Sequence, residues 1–167
     1  MIQFFRDNKK EQIRLYLLFW VFPFVMFLFS FMSKNSLNDK TIISESDKIY
    51  SFLKIAFNNL WVCLLIVFSG TLSRYLPLLL YSYNSLSFSI IFLISLQQNG
   101  KIFTLLTLLP HSFFEVYGLL LFTSIGIRIK SNYKNRQIYC IAIFSGILII
   151  FAAFVEVFIS QAFGGII

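Results

Sequence analysis

The chain has 167 residues, of which 58% are hydrophobic, 19% aromatic and only 13% charged, with a mean hydropathy of +0.80. A soluble domain carries about a quarter of its residues charged, and one small core cannot hide this much apolar surface; the composition excludes that class and leaves an integral membrane protein of one domain. The net charge of +7 is scattered over the ends of apolar runs rather than gathered on one face beside reading aromatics, which fits contact with anionic headgroups and not with nucleic acid.

Residues 1–14, MIQFFRDNKKEQIR, mix charges with aromatics and read as a cytoplasmic, interfacial N-terminus. The apolar run at 15–33 is too long for a signal-peptide core, and no small-x-small cleavage site follows it. It reads as a retained transmembrane helix, kinked at Pro23. Residues 34–57 read as an extracytoplasmic loop. Its second half spaces Ile49, Phe52, Leu53, Ala56 and Phe57 at helical intervals, as an interfacial helix leading into the next span would. Residues 58–163 then form a four-helix membrane core. Its spans are 58–73, 76–96, 103–127 and 138–163. They are separated by a polar break at Arg74-Tyr75, an Asn-Gly turn within 97–101 and a basic loop at 128–137. The expected fold is all-α: a polytopic bundle of about five transmembrane helices.

Lysine and arginine set the orientation. With the N-terminus inside, the inner side holds Arg6, Lys9, Lys10, Arg14, Arg74, Arg128, Lys130, Lys134 and Arg136. The outer side holds Lys34, Lys40, Lys48, Lys54 and Lys101. The excess lies inside, including the whole of the tightest basic loop.

Three ionisable residues fall within apolar runs: His111, Glu115 and Glu156. Charge at membrane depth is costly, so such groups face inward against partners. His111 and Glu115 share one face of the fourth span, four residues apart. A rise of 1.5 Å per residue sets Glu115 near mid-membrane and brings His111 and Glu156 to similar depth on adjacent helices. Asn58 and Asn59, opening the second span, and Asn84 in the third are placed to reach this cluster. Pro110 lacks an amide hydrogen, so the carbonyl near Leu106 loses its helical partner. Thr104 and Thr107 are the hydroxyls placed to compensate. The alternative is a helix restarting at Pro110, whose free amides attract an anion.

The cluster has three readings. It pins helices together as polar glue, it marks a proton or ion path, or it holds a metal. The third is weakest, because His-x-x-x-Glu supplies two ligands where a catalytic zinc takes three. Ser69 and Ser73, Ser85 and Ser89, and Ala142 and Gly146 have small-x-x-x-small spacing. Gly70, Gly118 and Gly126 also suit close helix approach. Cys63 and Cys140 fall near opposite membrane faces and read as small buried hydrophobes rather than a disulfide. Phosphate-loop, H-E-x-x-H and G-x-S-x-G motifs are absent, and Ser131-Asn132-Tyr133-Lys134 matches S-x-x-K by letter only. The residues imply no cofactor, no metal and no enzyme.

Together these residues resemble the integral membrane family of stage II sporulation protein M. The matching positions are Asn58-Asn59, Gly70, Asn84, Pro110-His111 with Glu115, and the final Ala152-Ala153-x-x-Glu156, across roughly residues 50–163. Ser112 and Ser85 stand where the family pattern has glycine, and Gly118 near its usual alanine; the chain reads as a divergent member. The resemblance implies a non-enzymatic bacterial membrane protein. The founding member acts as a scaffold beside separate enzymes in a complex that remodels peptidoglycan. Small relatives accompany circular-bacteriocin production and immunity genes, with transport ATPases nearby. Richness in Phe, Ile, Asn and Lys fits a low-GC Gram-positive bacterium and hence the bacterial cytoplasmic membrane. The first functional reading is thus a scaffold or accessory subunit. The second is a transport-class protein, a permease subunit or ion path using His111, Glu115 and Glu156. An intramembrane hydrolase comes last. The implied partners are the lipid bilayer, other subunits such as a transport ATPase or cell-wall enzymes, or further copies of this chain.

Overall fold

The computed structural model describes residues 9–30, 48–99, 101–132 and 136–160. The described residues form five helices: α1 (Lys9–Ser30), α2 (Lys48–Leu72), α3 (Leu76–Asn99), α4 (Lys101–Asn132) and α5 (Arg136–Phe154). A π-helical turn, Val155–Ser160, continues α5. All five helices are long and apolar enough to cross a bilayer.

The element bounds differ from the sequence reading in three places. Residues 48–57 are not a separate interfacial helix but the first turns of an unbroken α2. The basic stretch after residue 127 stays helical to Asn132, because nothing in Arg128-Ile129-Lys130 breaks a helix. Most of the N-terminal 1–14 segment and the loop at 34–47 lie outside the described residues, as do Gly100, residues 133–135 and the C-terminal GGII. The Arg74-Tyr75 break is present. It is a tight turn in which the Leu76 amide donates to the Ser73 carbonyl at 3.2 Å.

α4 is the centre of the bundle and touches every other helix. Its stretch from Gly118 to Gly126 is buried on all sides, as expected of a helix enclosed by neighbours rather than lying at the lipid face. α1 packs chiefly on α3, α2 on α4, and α5 on α4. Elsewhere large apolar side chains point outward, among them Leu17, Phe24, Trp61, Phe68, Ile143 and Ile147. Water would not tolerate that surface, and a hydrocarbon solvent does.

Two contacts set the helix spacing. A Cβ on Gly70 would fall on the carbonyl oxygen of Gly126 and 2.6 Å from its carbonyl carbon. One on Gly126 would lie 2.8 Å from the Ile66 carbonyl oxygen. α2 and α4 therefore cross backbone to backbone, which only glycine allows here. At the α1–α3 seam the Tyr81 hydroxyl donates to the Leu15 carbonyl at 3.1 Å, and the Ser85 hydroxyl donates to the Phe19 carbonyl at 2.5 Å. The second bond has a specific cause. Residue 23 is proline, so the Phe19 carbonyl lacks the amide that would donate to it in the helix ladder, and the Ser85 hydroxyl takes that place.

Both cysteines are free, and only Cys63 is buried; Cys140 is exposed on the outer face of α5. The expectation that both are buried fails for Cys140 because α5 turns it, with Tyr139 and Ile143, away from α4.

Candidate functional site

Pro110 lies inside an unbroken α4, so the helix does not restart there and presents no anion-binding end at mid-span. Side chains crowd the backbone around it. The Nδ1–H of His111 donates to the Thr107 carbonyl at 3.1 Å. Because a carbonyl can only accept, this bond fixes a tautomer with the proton on Nδ1. The Ser112 hydroxyl donates to the Leu108 carbonyl, and the Thr107 hydroxyl to the Thr104 carbonyl at 3.3 Å. The Thr104 hydroxyl lies 3.2 Å from the hydroxyl of Ser95, linking α4 to α3. These bonds bind the polar groups of the proline-containing turns to local backbone or to the next helix.

His111 is 4% exposed. One turn on, Glu115 is half-buried on the same helix face. Glu156 is half-buried on the π-helical turn after α5. The fold brings the Glu115 and Glu156 carboxyls within electrostatic range of each other, and Glu115 within range of the Cys63 thiol of α2. Three elements thus converge on Glu115. His111 forms no ion pair with either glutamate; its ring is held by its own helix instead. Asn58 is exposed, its amide 3.5 Å from the Asn59 side-chain oxygen, and neither is bonded to the carboxyls. Asn84 is half-buried on α3. Gly118 lies about one turn beyond Glu115 and two beyond His111, where a Cβ would meet the Ile149 side chain at 2.8 Å. It sets the closeness of α4 and α5 beside the carboxyl pair. Among the described residues no group of three or more His, Cys, Asp or Glu side chains is arranged to hold a metal ion.

Sequence reasoning missed two features. One is the π-helical turn carrying Glu156, for which VEVFIS has no compositional mark; such turns recur at functional sites. The other is the ion pair between Arg128 of α4 and Glu11 of α1. Arg128 also donates to the Ser124 carbonyl at 3.4 Å. An acid placed among the N-terminal basic residues was the available signal.

An enclosed central helix, lipid-facing surfaces all round and a carboxyl pair beside a Pro-His turn define a polytopic membrane helix-bundle protein. Among protein families, Stage II sporulation protein M matches residues 15–161, and the chain belongs to this family. No curated protein and no solved structure gives a significant match.

Proposed function

We propose that the chain is a non-enzymatic scaffold or accessory subunit of a bacterial membrane complex, of the cell-envelope-remodelling or circular-bacteriocin type, embedded in the cytoplasmic membrane. The carrying observation is how the interior polar groups are used. Tyr81, Ser85, His111, Ser112, Thr123 and Ser145 all bond to backbone carbonyls, and glycines lock α2 to α4. That arrangement favours one fixed shape, which suits a subunit that positions others. Family membership supports the same reading. The partners it calls for are other membrane subunits, with a transport ATPase or cell-wall enzymes as the candidates. The test is purification from native membranes after mild cross-linking. A second polypeptide in fixed ratio is expected, and its retention should fall with His111→Ala. A chain that purifies alone under every condition contradicts the reading.

One observation favours a second reading, a transport-class protein. Glu115 and Glu156 lie within electrostatic range in an apolar surround, an arrangement that attracts a passing cation or proton. In proteoliposomes it requires a flux that Glu115→Gln abolishes without lowering stability. The first reading requires no such flux.

A further inference from the structure

The end of the bundle that carries Arg74, Arg128 and Lys130 contains a cleft of about 260 Å³ between α1, α3 and α4. Leu15, Leu78 and Ile127 form its apolar walls, and Glu11, Arg74 and Tyr75 its rim. The charge of Glu11 is matched by Arg128. Among the described residues Arg74 has no carboxylate partner. Its guanidinium lies 4.8 Å from the centre of the Tyr75 ring and donates to the Tyr75 hydroxyl at 2.6 Å. That contact steadies the group and uses one of its five N–H donors. Lys130, anchored to the Leu72 carbonyl at 3.1 Å, adds a further cation at this end.

We infer that this cleft seats the headgroup end of one anionic phospholipid from the adjoining leaflet, with Arg74 on the phosphate and Leu15, Leu78 and Ile127 against the upper acyl chain. Charge complementarity selects the occupant. Among the described residues the rim has one carboxylate, Glu11, which is ion-paired to Arg128 through one oxygen, and an arginine whose planar fork fits two phosphate oxygens. The walls are apolar, so they favour a ligand with hydrocarbon beside its phosphate over free phosphate. Tyr75 is 58% exposed, and an amphipathic ring at that position suits the headgroup level of a membrane. Basic pockets between transmembrane helices are a known kind of place for anionic headgroups.

The test is native mass spectrometry of the full chain released from nanodiscs of mixed phosphatidylglycerol and phosphatidylcholine. The wild type is expected to retain one phosphatidylglycerol in preference to phosphatidylcholine. Arg74→Gln should lower that preference at least about fivefold. Leu78→Phe, which fills the cleft and changes no charge, should lower it too. Lys9→Gln removes a charge of the same sign from the same end but outside the cleft, and should leave it unchanged. Millimolar inorganic phosphate should not displace the lipid. Equal losses in Arg74→Gln and Lys9→Gln would mean diffuse attraction and overturn the proposal. So would retention unchanged in Leu78→Phe, or displacement by inorganic phosphate. If Arg74→Gln does not fold, Leu78→Phe against Lys9→Gln decides the matter.

Discussion

The α1–α3 seam and the α2–α4 crossing join helices by different physics. At the seam side chains make the contact between the helices. Aromatic rings fill the gap, with Phe19 5.4 Å from Tyr81 and 5.8 Å from Phe88, and two hydroxyls reach across to backbone carbonyls. At the crossing no side chain stands between Gly70 and Gly126, and the backbones meet directly. Lipid offers no hydrophobic drive for helix association, so each joint relies on what its residues supply: hydrogen bonds in one, close van der Waals packing in the other. The lesson is that the two joints should fail differently. A hydroxyl bond can be removed at modest cost, whereas a backbone contact cannot admit even a methyl group.

Gly70→Ala is the largest break. Its new methyl meets backbone that cannot swing aside, so α2 and α4 must part; the expected loss is about 3 kcal/mol or more, read by unfolding in mixed micelles. Gly146→Ala is the control. Its Cβ would meet only Leu60, at 3.9 Å, so no loss is expected and helix propensity favours a gain of up to about 1 kcal/mol. Gly118→Ala falls between them, because the obstructing atoms belong mainly to the Ile149 side chain, which can shift; about 1–2 kcal/mol is expected. On the seam, Ser85→Ala should cost about 1 kcal/mol, since it leaves the Phe19 carbonyl without a partner. Tyr81→Phe should cost less, about 0.5 kcal/mol, because the Leu15 carbonyl retains its helical amide from Phe19.

The spans and the Arg74-Tyr75 break were legible in the sequence, because hydropathy and cation placement mark where a chain enters and leaves a bilayer. The path through Pro110 was not. Proline predicts a missing bond, but whether a helix continues depends on neighbouring side chains such as His111 and Ser112, whose bonding is a matter of rotamer. Ser85 shows the same limit from the other side. Small-residue spacing suggests packing, yet its bond to Phe19 follows from a proline 62 positions earlier that happens to face it. The pairing of α1 with α3 rather than α2 has no sequence signal, since lipid-facing and protein-facing sides are alike apolar. At the candidate site the residues His111, Glu115 and Glu156 stood out as ionisable groups in apolar runs. Their arrangement did not, because the π-helical turn resets the direction of Glu156.

The central claim is that side-chain hydrogen bonds across the α1–α3 seam hold these helices in one arrangement, above all where Ser85 completes the backbone bond that Pro23 leaves open. The most direct measurement is a double-mutant cycle between Pro23 and Ser85. Pro23→Ala restores an amide to the Phe19 carbonyl, so in that background Ser85→Ala should become nearly free. The two changes should then be non-additive by about 1 kcal/mol. Additive effects, with Ser85→Ala costing the same in both backgrounds, would contradict the claim.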